Sequence, residues 1–519
     1  MSSRFQDTTL EEIRAKIPFT PWPDYLPYCD PHEVGCGVFR YMVRQRQVYD
    51  YRAYQKTLED NGFECIGSIE KPEGRGVITS SYKKGNAIVG LNYNFFWRMI
   101  CATYQLSDVV PPYTCDELYA AIPDLPGAGV VEDYGDGNYV RFAKNTVKTD
   151  YLAYRKTLED AGFRLYAANE EGFGDSVFNA LYLKDDISVS VTFVARVGNT
   201  YVSAAKGKDI PATLLYNAED VAANPEGAKT TLHMVELYLF GSCFLFRLKN
   251  GHFIVQDGGT PHEIGYFLDY LESLAGGEKP IIDAWFVTHP HRDHTGVLCR
   301  LTELPEMCDR IRVNGLYFNE PCGTTMDFDS ASRADAAFMH RVCTCLKTTD
   351  GTDVPLYRPH TGERYYFNDI SVDIIMSQEQ LLTEKATGDI NDCSTWCLFN
   401  VEGQKALLGG DGDLGGMDFI MDAYPGSYLD SEVFTALHHC HNTTDKFTDY
   451  FKKRTILVPC KVPPQMHPAE NEHLRQSGEE WFLAGDGTCV LTFPYTVGET
   501  ERKEHFTWKY HDDEGNMLI

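Results

Sequence analysis

The strongest constraint on how this chain folds is an internal repeat. Residues 50–63 read DYRAYQKTLEDNGF, and residues 150–163 read DYLAYRKTLEDAGF. Each copy begins with an Asp where a helix N-cap is expected, places Tyr and Leu on one face at helical spacing, and ends in a Gly suited to a helix C-terminal cap. The repeat therefore predicts two equivalent, capped amphipathic helices.

A strand pair is predicted after each of these helices. Residues 77–82 and 87–93 alternate apolar and polar positions around a Gly-Asn turn, and residues 178–183 and 187–193 do so around an Asp-Asp turn. This pattern is typical of β-hairpins. We therefore expect two copies of a small α+β module, at residues 1–108 and 109–216. The residues that the copies share suit structural roles, and a substrate-binding or dimerisation role stays open.

A segment rich in Ala, Asn, Pro and Gly follows the repeats at residues 217–229 and is typical of a linker. Beyond it, residues 230–519 alternate strand-like and helix-like stretches, which indicates a second α+β domain.

A dense group of metal-ligand side chains lies within this second domain. The apolar run IIDAWFV at residues 281–287 reads as a buried strand, and THPHRDHTG at residues 288–296 follows it directly. Side chains at i and i+2 of a tightly turned backbone can converge on one ion, so His289 and His291 suit one metal. Asp293 and His294 then point to a second metal nearby. The competing interpretation, in which these histidines only cap a turn, does not explain this spacing.

Three further polar groups follow strand-like runs in the same domain. Asp257 begins an Asp-Gly-Gly sequence after residues 252–256, and Asp411 follows the second strand of a predicted hairpin at residues 395–408. His438 and His439 follow residues 433–437. On its own, an Asp-Gly-Gly sequence is usually a turn.

The order of these motifs resembles the metallo-β-lactamase superfamily, and their form is similar to the branch that includes the metallo-hydrolase domain of the DNA-uptake competence protein. The resemblance covers residues 230–519 and implies an αβ/βα sandwich with the metals at the strand edge. It implies a bridging carboxylate at Asp411 and a carboxylate at Asp257 that orients the metal ligands. A Met-His-Pro sequence at residues 466–468 also resembles that branch.

The resemblance implies two ligand sets. The first metal takes His289, His291 and Asp411, and the second takes Asp293, His294, Asp411 and either His438 or His439. The chain departs from the superfamily in one respect, because the loop before Asp411 reads DINDCS at residues 389–394 and lacks the usual third histidine. Asn391, Asp392, His360 or water remain the candidates to complete the first metal's shell.

Such a centre implies hydrolysis by a metal-bound hydroxide, with Asp293 and Asp257 as the catalytic carboxylates. Zinc is the expected cofactor, in two copies, and Mn²⁺ or iron would also suit imidazole and carboxylate ligands. The substrate is expected to be a small phosphoester or an acyl compound such as a lactone, amide or thioester. His467 is a candidate to bind an anionic group of that substrate.

The net charge of −28 argues against long nucleic acid as a substrate, because such a field repels polyanions. The first residues lack the apolar stretch of a signal peptide, and no run approaches the roughly 20 apolar residues of a membrane-spanning helix. Sixteen cysteines show no disulfide framework. We therefore expect a cytoplasmic protein that acts on a small molecule away from membranes, with homo-oligomerisation left open.

A second hypothesis comes from a different functional class. The missing third histidine is compatible with a catalytically weak scaffold, in which the metal stabilises the fold and the N-terminal repeats bind a partner. Retention of His289, His291, Asp293, His294, Asp411 and His438 favours the enzyme.

Overall fold

The structure is a computed structural model, and it describes residues 10–18, 32–35, 38–43, 46–69, 77–94, 98–106, 118, 120–135, 138–207, 210–237, 241–319, 336–382, 390–441, 443–460 and 468–503. These residues form four β-sheets with helices between and around them, which is a mixed α+β architecture. Among the described residues, no helix combines the length and the apolarity that crossing a membrane requires.

The first repeat forms a six-stranded antiparallel sheet of order β1-β2-β6-β5-β4-β3 beside two helices. The helices are α1 (Leu10–Lys16) and α2 (Val48–Asp60). The strands are β1 (His32–Gly35), β2 (Val38–Val43), β3 (Glu64–Ile69), β4 (Val77–Lys84), β5 (Ala87–Asn94) and β6 (Met99–Leu106).

The second repeat has the same topology. Its sheet has the order β7-β8-β12-β11-β10-β9, and its helix α3 (Lys148–Asp160) corresponds to α2. The strands are β7 (Ala128–Gly135), β8 (Asn138–Ala143), β9 (Arg164–Phe173), β10 (Val177–Lys184), β11 (Ile187–Val194) and β12 (Asn199–Lys206). Both predicted hairpins are confirmed, since β4 pairs with β5 and β10 pairs with β11.

For α2 and α3, the prediction of a C-terminal glycine is confirmed and the prediction of an Asp N-cap is wrong. Asp50 and Asp150 are not N-caps but occupy the third helical position, where each carboxylate accepts a hydrogen bond at 2.9 Å from the backbone N–H of residue 47 or 147. The helices therefore begin earlier than a single Asp signal indicates. Gly62, directly after the C-cap of α2, has a φ of +80°, as expected for a terminating glycine.

Residues 210–503 contain the other two sheets, and both mix parallel and antiparallel pairs. The nine-stranded sheet consists of β13 (Thr231–Met234), β14 (Phe244–Arg247), β15 (Phe253–Gln256), β16 (Ile281–Phe286), β17 (Arg312–Val313), β18 (Leu316–Tyr317), β19 (Leu356–Tyr357), β27 (Cys489–Thr492) and β28 (Glu501–Arg502). The seven-stranded sheet consists of β20 (Arg364–Phe367), β21 (Ile370–Met376), β22 (Trp396–Val401), β23 (Gln404–Leu408), β24 (Ser431–Thr435), β25 (Lys453–Val458) and β26 (Glu480–Leu483).

The helices of this part are α4 (Ala218–Ala222), α5 (Ile264–Leu274), α6 (Arg292–Glu303), α7 (Pro305–Cys308), α8 (Ala336–Cys345), α9 (Glu379–Leu382), α10 (Leu414–Ala423), α11 (Gly426–Leu429), α12 (Asp445–Thr448) and α13 (Pro468–Ser477). Short 3-10 turns lie at Ala212–Leu214, Pro261–Glu263, Ile390–Cys393, Leu437–Cys440 and Ala484–Asp486. Helix α4 falls within the segment that the sequence predicts to be a linker.

The two sheets pack face to face. One buried core contains side chains from both of them, such as Phe246 and Phe399, whose rings lie 4.4 Å apart. A second core packs α5, α6 and α8 against the outer face of the nine-stranded sheet, and a third packs α10 against the outer face of the seven-stranded sheet. The arrangement is helix, sheet, sheet, helix.

The second repeat also packs on the seven-stranded sheet. Phe142, Phe173 and Tyr201 share a core with the helix α10 side of that sheet. The side chains of Asn179 and Thr192 donate hydrogen bonds to the backbone oxygen of Thr361, at 3.3 and 3.0 Å. The structure thus joins residues on both sides of the segment 217–229, while the bounds of the four predicted segments stay predictions.

Candidate metal centre

The His-rich segment connects a buried strand to a helix. Strand β16 ends at Phe286, and α6 begins at Arg292 with His291 as its N-cap. Asp293 and His294 therefore occupy the first helical turn, while His289 lies in the preceding loop. The change from strand to helix lets neighbouring residues reach two ligand groups. The loop directs the side chains of His289 and His291, and the first helical turn directs those of Asp293 and His294.

Asp257 fixes this segment from the neighbouring strand. Its fully buried carboxylate accepts hydrogen bonds from the backbone N–H of Thr288 at 2.9 Å and from Nδ1 of His294 at 2.8 Å. Its backbone is left-handed, with a φ of +60°. Because Nδ1 of His294 bonds to Asp257, the other ring nitrogen faces away, toward Asp411, with Nε2 3.1 Å from Oδ1.

Asp411 reaches the site through a tight turn after β23. Gly410 has a φ of +57°, and a Cβ there would lie 2.8 Å from Cβ of Thr288, so only glycine suits this position. The backbone N–H of Asp411 donates to Oγ of Ser394 at 3.2 Å. Oγ of Ser394 also lies 3.3 Å from Nδ1 of His289, so one hydroxyl positions two candidate ligands.

The histidines after β24 lie in a strained turn. His438, His439 and Cys440 have φ values of +46°, +51° and +71°, and none of them is glycine. Each left-handed residue of this kind costs on the order of 1–3 kcal/mol and persists only where its surroundings enforce it. The turn places His439 inside the site, with Nδ1 donating to the backbone oxygen of Pro459 at 2.8 Å and Nε2 3.0 Å from Oδ2 of Asp293.

Six of the predicted residues come together in two groups. Ligand atoms of Asp293, His294, Asp411 and His439 all lie within 4.8 Å of one another, and so do those of His289, His291 and Asp411. Asp411 belongs to both groups. A buried His/Asp cluster that could hold metal ions is therefore present at the edge where the two sheets meet.

The buried donor atoms fit a divalent cation. Nε2 of His289 and Nε2 of His294 are buried without a hydrogen-bond partner, although Asp411 lies 3.9 and 3.1 Å from them. Leaving a buried ring nitrogen unbonded is unfavourable, and a metal ion in each ligand group would satisfy one of these two atoms. Nitrogen and carboxylate ligands without a thiolate suit zinc, manganese and iron.

The carboxylates and imidazoles of the cluster shift one another's pKa values. Burial alone would raise the pKa of Asp293, but the charge of His294 and the hydrogen bond from His439 outweigh burial and lower this pKa. Burial would lower the pKa of His439, but Asp411 and Asp293 outweigh it and raise the pKa to about 10. Burial and the neighbouring histidines lower the pKa of His289. Asp293 and Asp411 thus keep their negative charge in this buried site and stabilise positive charge that faces them.

Other predicted residues lie outside the two groups. His438 is 26% exposed, with Nε2 4.0 Å from Asp411 and 3.5 Å from Nδ2 of Asn391. Nδ1 of His360 bonds to Glu379 at 2.9 Å, and Asp392 accepts from the backbone N–H of Gly416 at 3.3 Å. Asn391, one of the candidates to complete the ligands of the first metal, thus lies beside His438. His467 lies outside the described residues.

Sequence reasoning did not assign roles to Thr288 and Ser394. Both place a hydroxyl beside Nδ1 of His289, at 3.1 and 3.3 Å. A signal was present, since Thr288 opens the His-rich segment and Ser394 closes the loop that replaces the third histidine.

Comparisons with models of known protein families and with curated proteins find no match to this chain.

Proposed function

We propose that this protein is a metal-dependent hydrolase of the metallo-β-lactamase superfamily that binds two divalent ions. The observation that carries the proposal is the position of Asp411, whose carboxylate belongs to both ligand groups. A carboxylate shared in this way holds two ions at the short separation of dinuclear hydrolases.

The layered arrangement of residues 210–503 supports the proposal. Two mixed sheets pack face to face with helices outside, as an αβ/βα sandwich requires. The ligand groups follow the ends of β16, β23 and β24, and Asp257, which orients His294, follows β15 at the same edge of the sandwich. A backbone hydrogen bond from Thr395 to Thr288, 2.9 Å long, joins the two sheets at this edge.

We assign His289, His291 and Asp411 to the first ion, and Asp293, His294, Asp411 and His439 to the second. Ions held there would supply Lewis acidity that lowers the pKa of water and polarises the bond to be cleaved. Zinc is the preferred cofactor.

The chain's own residues orient and shield these ligands. Asp257 holds His294, Ser394 and Thr288 hold His289, and Pro459 holds His439. Solvent reaches His438 and Asp293, which are 26% and 17% exposed, and Arg292 between the ligands is exposed, so we expect substrate to approach on this side. The net charge of −28 favours a small phosphoester or acyl substrate over a polyanion.

The test is metal content, measured by elemental mass spectrometry on tag-free protein after dialysis against zinc. We expect about two equivalents for the wild type and a loss of both for Asp411→Asn, because the shared carboxylate serves both ions. Asp422→Asn is the matched control, since this exposed carboxylate lies in the helix that follows Asp411.

The same preparations are screened with chromogenic phosphodiester, lactone and thioester substrates. Turnover by the wild type and the control, and its loss in Asp411→Asn, supports the hydrolase. One equivalent of zinc without turnover would favour the scaffold hypothesis, and the absence of bound metal would overturn the metal centre.

A further inference from the structure

A cavity lies at the end of the nine-stranded sheet opposite the metal centre. His252 directly precedes β15, whose other end leads to Asp257, and Asp283 lies near the start of β16. At about 3.3 Å per residue, His252 and Asp257 are separated by roughly 17 Å along the strand. The cavity has a volume of about 420 Å³, which is within the range of small-molecule sites.

A chain of hydrogen bonds fixes the polar side of this cavity. Asn314 accepts from the backbone N–H of Thr349 at 3.1 Å and donates to Asp283 at 2.9 Å. Both carboxylate oxygens of Asp283 in turn lie 3.0 Å from Nδ1 of His252. The hydrogen bond from His252 to Asp283 raises the pKa of that histidine, which favours the protonated ring.

This geometry leaves one ring nitrogen of His252 for a ligand. Nδ1 is bonded to Asp283, and Nε2, on the opposite edge of the ring, makes no hydrogen bond to any described residue. The side chain lines the cavity and is 33% exposed. An imidazole oriented by a carboxylate in this manner presents an N–H at a defined position.

Aromatic rings form the other side of the cavity. Tyr357 and Tyr366 are half-buried in its wall, where Tyr357 lies 5.1 Å from the ring of Tyr317. Tyr366 lies 5.5 Å from the ring of Tyr216, which is 65% exposed. Aromatic rings in the wall of a cavity are typical of small-molecule sites.

The charges select against an anionic ligand. Among the described residues, the lining contains no Lys or Arg, and its carboxylates are Asp220 and Asp283. Within that part of the lining, a phosphate group would find one imidazolium, already paired with Asp283. The flat tyrosine faces favour a planar ring, and the fixed N–H of His252 favours a ring that carries a hydrogen-bond acceptor.

We propose that this cavity binds a neutral heteroaromatic ring of the nucleobase type, as a free base or nucleoside, at a site separate from the metal centre. The ring stacks on Tyr366, and a ring nitrogen or carbonyl accepts a hydrogen bond from His252. This site does not depend on the proposed hydrolase activity.

The test is isothermal titration calorimetry of the full chain with adenosine, guanosine, cytidine and uridine, beside the corresponding monophosphates and a methyl glucoside. We expect saturable binding of at least one nucleoside, and weaker binding of its monophosphate. Tyr366→Leu and His252→Asn should each weaken it about tenfold, which is the effect of losing one stacking or hydrogen-bonding partner. Tyr49→Leu is the matched control, since it removes an exposed tyrosine in the first repeat.

Asp411→Asn separates this site from the metal centre, because nucleoside binding should survive in that variant. If His252→Asn fails to fold, Tyr366→Leu decides the question alone. Binding of none of the nucleosides, tighter binding of the monophosphate or the glucoside, or undiminished binding by Tyr366→Leu would overturn the proposal.

Discussion

Nδ1 of His294 lies 2.8 Å from Oδ2 of Asp257, and this bond determines which nitrogen of the imidazole faces Asp411. Asp257 itself lies outside both candidate ligand groups. Its role is therefore to orient a ligand, and the effect of replacing it should differ from that of replacing a ligand.

Asp257→Asn should weaken binding of the second ion by about 10- to 100-fold, the usual effect of losing such an orienting partner. The new amide can still accept from Thr288 through its oxygen but not from His294 through its nitrogen. Zinc affinity is measured by competition with a chromophoric chelator. Asp283→Asn is the control, since Asp283 holds His252 at the opposite end of the sheet. Equal affinities in wild type and Asp257→Asn would contradict this role.

The two adjacent histidines should differ in their effect on metal content. His439→Gln should lose one equivalent, because Nε2 of His439 lies 3.0 Å from Asp293 within the second group. His438→Gln should retain both equivalents, because its ring lies at the rim, 4.0 Å from Asp411. Elemental analysis after gel filtration distinguishes the two variants. Loss of metal in His438→Gln alone would reverse the assignment.

Stability should decrease below neutral pH partly because of His233. This side chain is buried between the hydroxyls of Tyr270 and Thr231, both 2.7 Å away, and burial lowers its pKa to about 3. The unfolded chain binds a proton below about pH 6.5 while the folded chain does not, so the free energy of unfolding falls as the pH decreases from about 6.5 toward 3.

His233→Gln should flatten this dependence by up to about 1.4 kcal/mol per pH unit. Urea unfolding at pH 7, 6, 5 and 4 provides the measurement. His473→Gln serves as the comparison, because His473 is exposed and pairs with Asp449 on the surface. The same slope in both variants would show that His233 does not contribute.

Gln55 and Arg155 occupy equivalent positions in the two repeats but make different hydrogen bonds. Arg155 donates to Tyr182 at 2.9 Å and to Glu170, whereas the equivalent Gln55 donates to Ser80 at 3.0 Å. Arg155→Gln should destabilise the protein by about 1–3 kcal/mol, because the shorter amide no longer reaches Glu170.

Adding Ala180→Ser, which supplies the hydroxyl found at position 80, should recover part of that loss. Urea unfolding of the wild type, both single variants and the double variant gives the coupling energy. Additive effects would show that the serine does not receive the new glutamine's hydrogen bond.

Much of the architecture follows from sequence periodicity. The repeat predicts α2 and α3 and the hairpins after them, because apolar spacing and turn residues are local signals. The His-rich segment predicts a cluster because a strand end limits where its side chains can point. The structure brings His289, His291, Asp293, His294, Asp411 and His439 together at that edge.

Other features depend on packing that no local pattern expresses. The choice between His438 and His439 depends on three consecutive left-handed residues, which Pro459 and Gly410 hold in place. The start of α2 depends on which backbone N–H group Asp50 caps. The contact of the Ser394 hydroxyl with His289 depends on the two sheets meeting, because the two residues lie 105 positions apart in the chain.

The contact between the second repeat and the seven-stranded sheet has a consequence for any truncation of the chain. Phe142, Phe173 and Tyr201 lie in a core that they share with that sheet, so removing the second repeat would expose apolar side chains to water. A fragment that begins at residue 210 should therefore aggregate more readily than the full chain.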